Sequence, residues 1–188
     1  MKIILASRSP RRKMFLKQLG VPFISKVAKI EEITFNNPVE SCIYNATRKV
    51  KWVTNNTKLD KNSIIIGFDT LVYFEGRIIG KPKNKEESKK ILKALGGKWH
   101  EVYTGVVLWH NGKIESDYEK TNVKFHTLTE SQLDFYVNSG ETLDKAGSYG
   151  IQDKNMSFID RIDGSFTNVV GFPLSITRNL LKEAGVVT

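Results

Sequence analysis

The residue types best suited to chemistry stand near the start of the chain. Ile3 to Ala6 is a short apolar run that reads as a buried strand, and Ser7-Arg8-Ser9-Pro10-Arg11-Arg12 follows at once. Ser9 is a good N-cap and Pro10 suits the first helical position, so a helix is expected to begin here. A helix N-terminus offers unpaired N–H groups and partial positive charge. Ser7 and Ser9 add hydroxyls, and Arg11 and Arg12 can fork onto phosphate oxygens. Arginine in a first turn opposes the helix dipole, a cost that a nearby anion relieves. The segment reads as an anion grip; the alternative is that Arg8, Arg11 and Arg12 are exposed side chains and no more. It matches neither the P-loop nor the G-x-G-x-x-G pattern.

A second constellation follows. Ile64-Ile65-Ile66-Gly67-Phe68-Asp69-Thr70 is an apolar strand that runs into a carboxylate. Placed at the edge of a core, Asp69 can hold a hard cation and orient a water; it can equally be a turn aspartate or the partner of a lysine. Gly80-Lys81-Pro82 comes after a hairpin return able to bring Lys81 back beside Asp69, where an ammonium neutralises charge growing on a phosphoryl oxygen.

The elements that must position these residues are readable from pattern. The first helix should end near Gly20, with Met14, Phe15 and Leu19 at helical spacing. A second helix is predicted from Pro38 to Val53, carrying Val39, Cys42, Ile43, Ala46, Val50 and Val53 as its apolar stripe. Ser63 to Phe74 is β-rich, and Glu75-Gly76-Arg77 turns it into Ile78-Ile79. Lys85 to Leu95 is a third helix closed by Gly96-Gly97. Two long strands, His100 to His110 and Lys113 to His126, are joined by the hairpin signal Asn111-Gly112. Thr129-Glu130-Ser131-Gln132 has the form of a capping box opening a helix to about Asn138. Gly140 to Gly164 is turn-rich and assigned no element, and Pro173 to Ala184 is the last helix. The alternation predicts an α/β fold with a mixed sheet.

With 188 residues, 40% of them hydrophobic and 26% charged, one domain is expected, or one core split into two lobes around a cleft. The single Cys42 excludes an internal disulfide framework and fits a reducing compartment. The opening apolar run stops at Ser7, and no stretch approaches the roughly 20 apolar residues of a membrane span, so a cytoplasmic protein without a membrane partner is expected. The net charge of +9 suits a polyanionic partner. The lysines are scattered without interleaved aromatics, which favours a nucleotide, or simply solvated helix faces, over nucleic acid.

Six fragments, in order, carry a resemblance over nearly the whole chain: Leu5 to Arg12, Gly67-Phe68-Asp69-Thr70, Gly80-Lys81-Pro82, Thr104-Gly105-Val106, Asp144 to Gln152, and Asn168 to Pro173. Together they resemble the Maf family of nucleoside triphosphate pyrophosphatases, also described as septum-formation inhibitor proteins. The resemblance implies hydrolysis of a nucleoside triphosphate to the monophosphate and pyrophosphate, assisted by a divalent cation, Mg²⁺ or Mn²⁺. It implies a twisted mixed sheet flanked by helices with a central cleft, like that of inosine triphosphate pyrophosphatases, and a homodimer. By residue, Asp69 matches the acidic group proposed as base or metal ligand. Glu32, with Glu31 as rival, matches a second acidic group, and Lys49 and Lys81 match the family's two lysines. Arg12, Thr70 and Gln152 match positions associated with substrate choice.

In the part of the family that looks closest, Tyr-Gly-Ile-Gln marks a preference for dTTP and UTP. The Gln152 carboxamide can donate to O4 and accept from N3–H of uracil or thymine. Cytosine reverses that pattern, so discrimination requires an amide held in one orientation. Three departures bear on substrate choice. Phe68 stands where a small residue is usual and is expected to narrow the pocket. Arg8 adds charge beside the phosphate segment. Asp153 replaces a common glycine and is expected to reshape the base-side turn. His100, His110 and His126 lack ligand-like spacing, Cys42 lies on an apolar stripe, and Trp52, Trp99 and Trp109 read as packing residues. Two rival functions stay open: a regulatory protein of cell division acting by binding, and a pyrophosphatase for non-canonical purine nucleotides.

Overall fold

The computed structural model describes residues 2–154 and 156–187. In chain order the elements are β1 (Lys2–Leu5), α1 (Pro10–Gln18), β2 (Phe23–Ser25), α2 (Pro38–Asn55), β3 (Ser63–Phe74), β4 (Arg77–Ile79), α3 (Lys85–Leu95), β5 (Trp99–His110), β6 (Lys113–Phe125), α4 (Glu130–Asn138), β7 (Ile159–Asp163), α5 (Phe166–Val170) and α6 (Leu174–Glu183), with a 3₁₀ turn at Ala146–Ser148. The strands form a mixed sheet in the order β2-β1-β3-β5-β6-β7, with β4 paired to β3, and helices flank it. This is the mixed α/β architecture that the sequence pattern predicts. The chain divides into two compact units: Met1–Asp69 with Thr104–Glu119 and Gly171–Thr188, and Thr70–Tyr103 with Lys120–Val170.

In the first unit β1 pairs parallel to β3, Leu5 opposite Ile66, and parallel to β2, Ile3 opposite Phe23. A parallel pair needs a crossover, and α1 supplies it between β1 and β2. Residues Ser63 to Asp69 of β3 are all buried, as a run of β-branched residues covered on both faces requires. Two glycines then decide how closely α2 approaches. A Cβ on Gly67 would lie 2.7 Å from Val50 Cγ2, and one on Gly105 would lie 2.8 Å from the Cys42 carbonyl carbon. Only hydrogen fits at either point, so the helix backbone rests directly on the strands. The N-cap of α2 is Asn37, whose Oδ1 accepts from the N–H groups of Val39 and Glu40.

Some expectations for these helices are corrected. Phe15 and Leu19 pack partly buried against the core as expected and Leu16 is fully buried, while Met14 is 45% exposed, so periodicity misplaced one of its three residues. Ser9 is the N-cap of α1 but makes no side-chain cap bond. On α2, Val39 and Ile43 are only half-buried, and the polar Ser41 and Asn45 take places in the buried face.

In the second unit the turns behave as their residues demand. Glu75 and Gly76 have φ of 48° and 79° and link β3 to β4. In the first unit Asn111 and Gly112, at 50° and 80°, make the β5–β6 turn; positive φ at both central residues is the signature of a type I′ hairpin. The capping box of α4 is complete, with Thr129 and Gln132 exchanging side-chain and backbone bonds. Lys89 bridges Glu130 and Asp134 between α3 and α4, an exposed arrangement of small energetic value. The core of this unit gathers Leu92, Leu95, Phe125, Leu133, Tyr136, Tyr149 and Phe158. Strand β7, antiparallel to β6 with Val123 opposite Ile162, lies in the segment to which sequence assigned nothing. Trp52 and Trp109 pack partly buried against the first unit's core, but Trp99 is 44% exposed, contrary to its reading as a packing residue.

His100 is 2% exposed, and its Nε2 lies 2.7 Å from the Tyr149 hydroxyl. Its Nδ1 is buried without a hydrogen-bond partner among the described residues. A second ring proton would find no acceptor, and burial lowers the pKa from 6.5 to about 4. Below pH 6.5 the unfolded chain takes up a proton that the native ring refuses, so stability falls as pH drops from about 6.5 to 4, by on the order of 3 kcal/mol. Urea unfolding at pH 7 and pH 4.5 should show this loss in the wild type and a smaller loss in His100→Gln. Equal losses would refute the assignment to His100.

Candidate active site

The first unit assembles a charged site on β3. Asp69 lies mid-strand, 6% exposed, rather than at a strand end. Its Oδ1 is 2.5 Å from Lys49 Nζ, and its Oδ2 accepts from Asn45 Nδ2 at 3.3 Å. The same Lys49 ammonium lies 2.7 Å from Glu32 Oε1 and donates to the Phe68 carbonyl at 3.3 Å. Asn45 and Lys49 are four residues apart on α2 and so share a face. Because Gly67 lets α2 sit against β3, that face meets the strand where Asp69 projects.

Asn45 is a site residue that sequence reasoning missed. Its Nδ2 donates to the Ile33 carbonyl at 2.8 Å, and its Oδ1 accepts from the Ile33 N–H at 2.9 Å. One carboxamide thus clamps the irregular segment that carries Glu32 and also touches Asp69. The available signal was a polar residue on the buried stripe of a helix, one turn before a lysine. Of the two rival glutamates, Glu32 presents its carboxylate to Lys49, whereas Glu31 engages Arg48 through its backbone carbonyl at 2.5 Å.

Arg12 approaches the same strand from α1. Its Nη1 donates to the Phe68 carbonyl at 3.2 Å and to Ser7 Oγ at 3.3 Å, and its Nε donates to the Gly171 carbonyl at 3.0 Å. Ser7 Oγ also accepts from the Ser9 N–H at 3.2 Å. With both acceptor positions of Ser7 used, its hydroxyl hydrogen is what it can still offer. Arg11 is half-buried and Arg8 exposed in the same segment. Phe68 corrects an expectation: its ring is fully buried, stacked on Phe172 at 5.1 Å between centroids, with the Arg12 guanidinium 5.3 Å away. The side chain serves the core, and the backbone carbonyl serves the site.

Electrostatics follow from burial. Desolvation raises the Asp69 pKa above its ordinary value, opposed chiefly by the Lys49 charge. Desolvation lowers that of Arg12 to about 10, opposed by Asp69 and reinforced by Arg11. Burial, then the nearby Asp69 charge, pushes the Cys42 thiol up to about 12, which leaves it inert.

Glu32 Oε1 and Asp69 Oδ1 converge on one point, held here by the Lys49 ammonium. Two hard carboxylate oxygens aimed at one centre are a donor set that would suit Mg²⁺ or Mn²⁺. Among the described residues no group of three or more His, Cys, Asp or Glu forms an all-protein metal cage.

The remaining sequence candidates belong to the second unit. Thr70 is half-buried, and Lys81 and Gln152 are exposed. Strand β4 ends two residues before Lys81, with Ile79 opposite Val72. A cavity of about 450 Å³ in this unit is lined by residues including Tyr73, Trp99, His100, Glu101 and Asp163, none of them a sequence candidate for substrate chemistry.

Asn45→Ala removes three hydrogen bonds and leaves the Ile33 amide groups without partners, a loss of about 2 kcal/mol. Urea unfolding should register it as an earlier midpoint with an unchanged slope. Wild-type stability would show that Asn45 is not a clamp.

The Maf-like protein family matches residues 2–184. A dTTP/UTP pyrophosphatase of Bacillus anthracis (strain CDC 684 / NRRL 3495) is 46% identical over 187 residues, covering 98% of this chain and 96% of that protein. A dTTP/UTP pyrophosphatase of Thermotoga maritima (strain ATCC 43589 / DSM 3109 / JCM 10099 / NBRC 100826 / MSB8) is 43% identical over 185 residues, covering 98% and 90%. Among solved structures, a nucleoside-triphosphatase / dITP/XTP pyrophosphatase from Mycobacterium abscessus ATCC 19977 / DSM 44196 aligns over 97% of both chains with a TM-score of 0.49 and 14% identity. The match to the family over nearly the whole chain and the identity to these two relatives show that the chain belongs to the Maf-like family.

Proposed function

We propose that the chain is a nucleoside triphosphate pyrophosphatase that converts dTTP and UTP to the monophosphate and pyrophosphate. The observation that carries this reading is the Glu32–Lys49–Asp69 cluster, with Arg12 and Lys49 both donating to the Phe68 carbonyl. The names of the two relatives supply the substrate class.

Water must attack the α-phosphorus, and the leaving pyrophosphate carries away the bonding electrons. Asp69 is suited to take the proton from that water, since burial raises its affinity for one. Lys49 and Arg12 place positive charge where the phosphoryl oxygens gain negative charge. Ser7 offers its hydroxyl hydrogen to the same oxygens, and Arg11 adds charge in the first turn of α1. Asp69 and Glu32 would hold a divalent cation, which would supply further positive charge against the phosphates. In this reading Lys81 is a second charge-stabilising lysine, and Thr70 and Gln152 contribute to substrate choice. A homodimer and a cytoplasmic setting belong to the same proposal, on the strength of the family resemblance and the lone cysteine. No helix among the described residues is long and apolar enough to cross a membrane.

The test is pyrophosphate release from a panel of nucleoside triphosphates with Mg²⁺ and with Mn²⁺. UTP and dTTP should be the best substrates, and Asp69→Asn should lower kcat at least about a hundredfold while the variant stays folded by circular dichroism. Release from purine nucleotides alone, or near-normal turnover by Asp69→Asn, would overturn the proposal.

A further inference from the structure

We propose that Asp153 is a positioning residue that fixes the orientation of the Gln152 carboxamide and thereby sharpens the choice between uracil-type and cytosine bases. The inference rests on the reading that Gln152 meets the base. Asp153 Oδ1 accepts from Gln152 Nε2 at 2.8 Å. Its Oδ2 accepts from the Tyr136 hydroxyl at 2.6 Å and lies 3.3 Å from Lys145 Nζ. The Tyr136 oxygen accepts in turn from the Gly150 N–H at 3.0 Å, and the Asp153 N–H closes a turn onto the Gly150 carbonyl at 2.9 Å. The carboxylate is itself well buried, at 8% side-chain exposure, as is Lys145. Tyr136 is fully buried, and desolvation followed by the bond to Asp153 raises its pKa, keeping the phenol a donor.

A carboxylate only accepts hydrogen bonds, so the face of the Gln152 amide turned to Asp153 must be its NH₂; the carbonyl there would set two acceptors against each other. One N–H is consumed. The other N–H and the carbonyl oxygen remain, a donor beside an acceptor in a set order. Uracil and thymine offer the complement, O4 and N3–H, and cytosine offers the reverse. Gly150 lies directly beneath the pair: a Cβ there would sit 2.5 Å from Asp153 Oδ1 and 2.6 Å from Gln152 Nε2. The backbone therefore leaves room for this amide–carboxylate contact and for no side chain under it.

Asp153→Asn tests this orientation. The Tyr136 hydroxyl and the Lys145 ammonium both require an acceptor at the Oδ2 position, so the asparagine oxygen takes that place and its NH₂ faces Gln152. The glutamine must then turn over to meet it with its carbonyl. Steady-state kcat/KM for UTP should fall about tenfold and that for CTP should rise about tenfold, one hydrogen bond's worth in each direction. A proportional fall for both nucleotides would reveal a merely structural role and overturn the proposal. Asp153→Gly removes the acceptor without a new side chain and serves if the asparagine variant does not fold. Its UTP to CTP ratio should drop below the wild-type value, and an unchanged ratio overturns the proposal. Gln152→Ala separates the two readings. If it collapses the ratio while both Asp153 variants keep it, the orienting role fails and base reading by Gln152 stands. If it leaves the ratio at the wild-type value, base reading fails and the role of Asp153 falls with it.

Discussion

A carboxylate buried in the middle of an apolar strand stays charged only if a cation is delivered to it, and in the first unit the delivery of Lys49 to Asp69 organises the rest. Desolvation of Asp69 is the larger effect, and the ammonium at 2.5 Å is what opposes it. That ammonium must come from a helix lying almost in contact with the strand. Gly67 and Gly105 permit the approach because they carry nothing that would hold α2 away. A buried ion pair is weak evidence for stability, since removing two charges from water costs about as much as their attraction returns. Its retention here fits a site whose purpose is to keep charge in a fixed place.

Neutral groups help to hold the neighbours of the pair. Asn45 binds both amide groups of Ile33 and so settles the segment bearing Glu32, while Arg12 is fastened by the carbonyls of Phe68 and Gly171 and by Ser7 Oγ. These dipolar anchors fix the position of the Arg12 cation in addition to the attraction of Asp69. The second unit applies the opposite device. There a buried carboxylate accepts from Gln152 and Tyr136 beside the Lys145 ammonium, and an acceptor-only group faces the NH₂ of an amide.

Local chemistry was legible in the sequence wherever a few adjacent residues suffice to determine it. Asn111-Gly112 and Glu75-Gly76 specify their turns, Thr129 with Gln132 caps α4, and the β-branched run before Asp69 marks a strand covered on both faces. That same run hid the direction of Phe68: a strand buried on both sides shows no alternation, so nothing in its pattern says which way a ring points. Asn45 was passed over because asparagine within a helix reads as a mild misfit rather than a clamp, and its partners are 12 and 24 residues away. Strands β2 and β7, three and five residues long, are too short for periodicity to register.

Phe68 divides its labour between ring and backbone, and this has a consequence for how the protein can vary. Its ring is packed between Phe15's partner Phe172 and the apolar interior, while its carbonyl receives both Arg12 and Lys49. A bulkier or smaller residue at this point is a repacking of the interior that also shifts the oxygen on which two cations meet. Drift in the hydrophobic interior is thereby coupled to charge placement. Variants that look neutral by side-chain chemistry at residue 68 will sort by how far they displace the peptide plane.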